Sequence, residues 1–125
     1  MMIADIQRAV AAAHEVPIEA MRERDGIGTR SREHAWARQE AMFLCREMCA
    51  EPTVRQYRRA SYLNLAKHFH RDHTTIIHAV RAVTKRIASD AKVRRRIDVI
   101  SVGLLIHSCA AFVLVGVADG QEVDS

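Results

Sequence analysis

Apolar residues recur through most of the chain at intervals of three and four, the spacing of a helix with one buried face. Ile3, Ile6, Val10 and Ala13 mark a first amphipathic helix of about three turns. Pro17 suits the first turn of a short second helix running through Arg24, with Ile18 and Met21 turned inward. Asp25-Gly26-Ile27-Gly28-Thr29 then breaks the pattern, and Arg30-Ser31-Arg32 reads as an exposed basic loop. A third helix is predicted from Glu33 to about Ala50, on the stripe Ala37, Ala41, Leu44 and Met48.

Residues 51–60, EPTVRQYRRA, interrupt the periodicity and read as a basic connection. Ser61 is a suitable cap for a short helix carrying Leu65 and Phe69. His70 and Arg71 leave room only for a tight turn before Asp72, an N-cap residue for a helix from His73 to about Ala88. The inner stripe of that helix is Ile76, Val80, Val83 and Ile87. Two helices joined by so short a turn, the second long and basic, form a candidate helix-turn-helix. Another helix restarts after Ser89-Asp90.

The last segment differs in kind. Residues 99–118, VISVGLLIHSCAAFVLVGVA, are apolar except for His107 and a few small polar residues. They are long enough to span a bilayer, with Arg94-Arg95-Arg96 before them and acids after. His107 near the middle and the absence of an aromatic belt favour instead a helix or hairpin folded back on the domain. The expected organisation is a folded unit over 1–96 and an apolar tail over 97–125, the tail being dispensable for folding.

Composition agrees with helices. The chain has 125 residues, 49% of them apolar and only 5% aromatic, with 5 Gly and 2 Pro. That is enough for one modest core and poor material for a sandwich or barrel. The fold class is therefore all-α: a compact helical bundle containing a helix-turn-helix, with an apolar C-terminal extension. No Gly-rich phosphate loop is present. Cys45, Cys49 and Cys109 form no CxxC pair, and the first two, one turn apart, read as buried apolar residues in a reducing compartment. No basic stretch precedes the apolar N-terminal residues, so a signal peptide is not predicted and the cytoplasm is the expected location.

The net charge of +4 conceals a polar arrangement. Residues 30–96 carry 16 basic and 6 acidic groups, whereas residues 97–125 carry no basic group and 4 acids. A block of net +10 is the footprint of a nucleic-acid binder more than of a solvated surface, which intersperses both signs. Trp36 reads as a packing anchor, since one aromatic makes no single-strand channel.

Two motifs overlap at the predicted turn. His68, His70, Asp72 and His73 spell HxHxDH, the metal-ligand pattern of the metallo-β-lactamase superfamily. That fold needs two sheets, a longer chain and further ligands, and here the string closes one helix and opens another, so a metal-dependent hydrolase is the least favoured reading. The longer string RDHTTIIHAVR, residues 71–81, closely resembles the signature of the C-terminal, box-binding domain of the bacterial replication initiator DnaA. The likeness extends through Asp5-Ile6-Gln7, Val16-Pro17, Arg30-Ser31-Arg32 and Ala37-Arg38-Gln39-Glu40-Ala41-Met42, covering about residues 3–88.

The resemblance implies a module that reads double-stranded DNA at a DnaA-box-like site, with no enzymatic activity and no cofactor. It implies base contacts from Asp72, His73, Thr74 and Thr75 in the major groove and from Arg30 in the minor groove. Arg32, Arg38, Gln39, Arg46, Arg71, His78 and Arg81 match or neighbour positions that contact phosphate. The residue chemistry agrees. A carboxylate accepts from an exocyclic amine, hydroxyls and methyls suit thymine edges, and a loop arginine suits a narrow A·T-rich groove. Each has a plainer alternative: Asp72 as a cap alone, Thr74 and Thr75 as an exposed first turn, and His78, Arg46 and Arg81 as solvated side chains.

The chain departs from the family in four places. Ala37 replaces a proline, the Cys49–Ala60 connection is about eight residues longer, and Tyr62-Leu63 replaces Leu-Pro. His70 alone stands where the family has Gly-Gly, which bears on the tilt of the recognition helix. No ATPase domain accompanies the module in these residues. The expectation is an orphan regulator or accessory factor of replication or transcription, located with the nucleoid. A membrane-tethered adaptor for DNA or protein, held by residues 99–118 at the inner membrane, is the alternative. The sequence names no protein partner.

Overall fold

A computed structural model of the chain describes residues 2–22, 32–52 and 57–120, with side chains described outside 50–52, 57–58 and 108–120. Helix α1 (Ile3–His14) opens the domain, and its Asp5 carboxylate accepts from the Met2 N–H at 3.3 Å. Helix α2 (Glu19–Arg22) is a single turn, begun by the Pro17 carbonyl accepting from Ala20 N–H. Helix α3 (Arg32–Met48) is the central element and packs against α1 and α2 on one side. It also packs against the pair α4 (Tyr62–Phe69) and α5 (His73–Ser89) and against α6 (Ala91–Gly120).

The fold is the helical bundle that the spacing predicts, with one addition. The basic connection after α3 contains a small antiparallel hairpin, β1 (Ala50–Pro52) with β2 (Tyr57–Arg59), in which Glu51 lies opposite Arg58. The Ala60 N–H donates to the Cys49 carbonyl at 3.1 Å and closes its base. Strands of three residues show no alternation long enough to read from sequence. Arg32 is also corrected: it is the exposed first residue of α3, not part of a loop, and its guanidinium lies 4.9 Å from the Trp36 ring.

The core joins Ile6 and Val10 of α1, Met21 of α2, Ala41 and Leu44 of α3, Leu65 and Phe69 of α4, and Ile76 and Val83 of α5. On α5 the expected stripe is shifted: Ala79 is buried, while Val80 and Ile87 are only half-buried. Cys45 and Cys49 are buried and unoxidised, and hydrogen bonding with Cys49 together with burial pushes the Cys45 thiol up. Such a thiol is core material and not a nucleophile.

Helix α6 passes residue 96 without a break and carries Val93, Ile97, Ile100 and Leu104 into the core. The first turns of the expected tail are therefore part of the domain's packing. Among the described residues no helix is long and apolar enough to cross a membrane.

One charged cluster lies inside the bundle. Glu40 of α3 is fully buried and accepts from Arg96 Nε at 2.9 Å and Nη2 at 2.5 Å, and from His14 Nε2 at 2.9 Å. Burial alone would raise the Glu40 pKa, but the hydrogen bonds from His14 and Arg96 outweigh it and hold the carboxyl below its usual range. The cluster ties the end of α1, the middle of α3 and the first turns of α6 together.

Candidate nucleic-acid interface

The Ser61 hydroxyl accepts from the Asn64 N–H at 3.1 Å and starts α4, which ends at Phe69. His70 then takes the left-handed conformation, φ 54° and ψ 46°. The Ala66 carbonyl accepts from Arg71 N–H at 3.1 Å, closing the helix as a glycine cap does. The turn therefore keeps a glycine's geometry without a glycine. Gln7, from the Asp5-Ile6-Gln7 segment, braces this end: its Nε2 donates to the His68 carbonyl at 3.3 Å, and its Oε1 accepts from Arg22 Nε at 3.0 Å.

Asp72 occupies the N-cap position with extended backbone, and its carbonyl accepts from Thr75 N–H and Ile76 N–H. Its carboxylate makes no capping hydrogen bond, so the expected capping role falls to the backbone alone. The side chain stands exposed beside the positive end of a 17-residue helix. His73, Thr74 and Thr75 are exposed on the first turn, and His78 and Arg81 are exposed further along. Lys85 extends the same stripe in 4-3-4 steps from Thr74. Sequence reasoning missed Lys85, although its spacing from Arg81 carried the signal.

The residues expected at phosphate from α3 are differently placed. Arg38 is half-buried, with Nη1 donating to the Ala20 carbonyl at 3.2 Å. Burial, and then the charge of Arg71, lowers the Arg38 pKa. Arg71 also donates from Nη1 to the His70 carbonyl at 3.1 Å. Gln39 accepts from Arg86, whose guanidinium lies 4.5 Å from the Trp36 ring, so Trp36 packs with the guanidinium groups of both Arg32 and Arg86. Arg46 lies 4.3 Å from the Tyr62 ring and donates from Nη1 to the Ala60 carbonyl at 2.6 Å. It holds the base of the hairpin to α4. Arg30 lies outside the described residues.

The HxHxDH string does not make a shared centre in this geometry. His68 is on α4 and donates from Nδ1 to the Asn64 carbonyl at 3.0 Å, His70 is in the turn, and His73 begins α5. Among the described residues no three His, Cys, Asp or Glu side chains form a group that could hold a metal ion.

Comparison with known proteins supports the same segment. The family model of the bacterial dnaA protein helix-turn-helix matches residues 3–83. Chromosomal replication initiator protein DnaA 1 of Protochlamydia amoebophila is 33% identical over 98 residues, which is 78% of this chain and 19% of that protein. The protein of the same name from Chlamydia trachomatis is 34% identical over 85 residues, 68% of this chain and 16% of its own length. Chromosomal replication initiator protein DnaA of Aquifex aeolicus is 39% identical over 64 residues, half of this chain and 14% of that protein. The chain thus spans less than a fifth of the length of these relatives. The matched segment contains the capped turn and most of the exposed stripe of α5, and the protein belongs to the bacterial DnaA helix-turn-helix family.

Proposed function

We propose that the chain binds duplex DNA and reads a short site resembling a DnaA box through the N-terminal half of α5. The observation that carries this reading is the exposed stripe of α5: a carboxylate, hydroxyls and imidazoles at its start, and cations along its length, behind a three-residue turn. Family membership supports DNA binding at the coarse level. The reading assigns base edges to Asp72, His73, Thr74 and Thr75, with Arg30 in the adjacent minor groove. It assigns phosphate to His78, Arg81 and Lys85 and to Arg38 and Arg71. Arg32 and Gln39 lie beside that surface, and Arg46 acts on it by holding α3 to α4. The protein is a DNA-reading element of replication or transcription control, located with the nucleoid.

The test is duplex binding by the purified chain at several salt concentrations. Six to ten phosphate contacts imply that affinity falls by about 10³–10⁵ between about 50 and 200 mM salt. At each concentration a box-containing duplex is expected to bind more tightly than a scrambled one. Equal binding of both duplexes at every salt concentration overturns the box-reading assignment.

A further inference from the structure

Among the described residues two polar side chains are buried: Glu40, within the charged cluster, and Gln7 of α1, which is only 2% exposed. Burying an amide costs free energy unless its own groups are paired, and Gln7 is paired on both sides. Its Nε2 donates to the His68 carbonyl, and its Oε1 accepts from Arg22 Nε. These partners leave the amide one orientation. A carbonyl oxygen only accepts and a guanidinium only donates, so a flipped amide would lose both bonds.

The acceptor identifies what the contact does. The last four carbonyls of a helix have no partner within it. In α4 one of these, on Ala66, accepts from the N–H groups of His70 and Arg71. Another, on His68, accepts from Gln7, 61 positions earlier. A side chain of α1 therefore completes the cap of the helix before the turn, and α5 begins just beyond it at His73. The main packing of these helices lies elsewhere, since α1 packs chiefly on α3 and α4 chiefly on α5. Apolar contact is non-directional and settles that α4 is buried more than how its end is turned. A hydrogen bond is directional and fixes that end.

We infer that Gln7 is a positioning residue for DNA reading: its amide holds the C-terminal end of α4 and so sets the angle at which α5 presents Asp72, His73, Thr74 and Thr75. The inference rests on the box-reading function proposed above. Gln7 is buried behind the turn, so it acts on discrimination between sequences and not on phosphate attraction. Tilting α5 moves its side chains off the base edges, whereas attraction to the phosphates carries no sequence information and persists.

The test compares Gln7→Met and Gln7→Glu with wild type on box-containing and scrambled duplexes, each protein first checked for native circular dichroism. Gln7→Met keeps the bulk of the side chain and removes both hydrogen bonds. Gln7→Glu keeps the acceptor for Arg22 and sets a carboxylate oxygen against the His68 carbonyl. Both are expected to lower the box-to-scrambled affinity ratio by about tenfold, the order of one base contact. Affinity of Gln7→Met for the scrambled duplex at low salt is expected to stay within about twofold of wild type. A control, Val93→Ala, opens a cavity in α6 beyond the far end of α5, about 25 Å along that helix from the turn. It is expected to keep the wild-type ratio although it lowers the urea midpoint. Without DNA, hydrogen exchange at the Arg71 amide is expected to quicken about fivefold in Gln7→Met relative to the Leu65 amide near the start of α4. A wild-type ratio in both Gln7 variants overturns the inference, as does unchanged exchange at Arg71. So does an equal fall of the ratio in Val93→Ala, because the effect would then be one of stability alone. If wild type prefers neither duplex, the box reading fails, and exchange at Arg71 alone decides whether Gln7 holds the turn.

Discussion

Helices α5 and α6 are neighbours in the chain and alike in construction, yet they meet solvent with opposite chemistry. Each buries a stripe spaced by three and four residues. On the outer side α5 shows Thr74, His78, Arg81 and Lys85, and α6 shows Val99, Val102 and Ile106. The inward stripes establish only that both helices belong to one bundle. The outward stripes decide what each helix can do next. Hydroxyls, imidazoles and cations are stable in water and gain from a polyanion, whereas a valine–isoleucine stripe loses by staying in water.

The contrast is broken most severely by shortening the chain, because the inner side of α6 belongs to the core. A chain ended after Arg96 loses Ile97, Ile100 and Leu104, each worth about 1.5–3 kcal/mol of burial. Against a typical total of about 5–15 kcal/mol, that is expected to unfold the domain or leave it marginal. A chain ended after His107 keeps these residues and is expected to stay folded. Thermal melts of the two truncations check this, and equal stability would show that residues 97–104 are an appendage.

The register of α6 on the domain rests on Arg96 and the buried Glu40. Replacing Arg96 with Met leaves a buried carboxylate with only His14 beside it. The expected loss is about 3 kcal/mol, at the low end for breaking a buried pair because the Arg96 side chain is 31% exposed. The pH dependence has a definite sign. Glu40 has a depressed pKa in the fold, so its stabilisation is present above the ordinary carboxylate value of about 4.3 and is lost as pH falls through the lower folded value. Urea midpoints of wild type and variant are therefore expected to converge in acid. A gap that stays constant from neutral pH to pH ~3 would remove Glu40 from the account.

On α5 the corresponding changes act on binding and leave the fold intact. Thr74→Ala is expected to cost about 1–3 kcal/mol on the preferred duplex and to relax discrimination at one base position. Arg81→Ala is expected to weaken all duplexes alike and to lower the salt slope by about one. If both variants lose affinity equally on specific and random DNA, Thr74 does not read sequence.

What could be read in advance follows from the range of the forces involved. Helices are local, and most inward positions of α1, α3 and α4 follow from their spacing, as does the turn at His70, but Ala13 is exposed and Met48 half-buried at the ends of their stripes, and on α5 only Ile76 and Val83 of the expected four are buried. The family signature at residues 71–81 marked the candidate surface directly. Glu40 was not visible as a core residue, because its partners His14 and Arg96 are 26 and 56 positions away. Arg46 matched a phosphate position, but its partners, the Ala60 carbonyl and the Tyr62 ring, lie beyond an irregular connection. In α6 the obstacle was uniformity. When nearly every residue is apolar, periodicity cannot say which side faces in.

The smallest expected effect concerns the turn that aims α5. Residue 70 has a positive φ, a conformation that costs a side-chain-bearing residue about 1–2 kcal/mol relative to glycine. Glycine also enlarges the entropy of the unfolded chain, which returns about 0.4–1 kcal/mol of that gain. His70→Gly is therefore expected to stabilise the domain by about 0.5–1 kcal/mol, or roughly 3–6 °C in melting temperature. Because the histidine already adopts the glycine conformation, the direction of α5 should not change, and duplex affinity should stay within about twofold. A β-branched substitution separates conformation from side-chain loss. His70→Val is expected to lower both the melting temperature and duplex affinity, since a branched Cβ tolerates positive φ poorly and the turn must open. If His70→Gly lowered affinity while raising stability, the imidazole itself, and not the turn it forms, would belong to the DNA-reading surface.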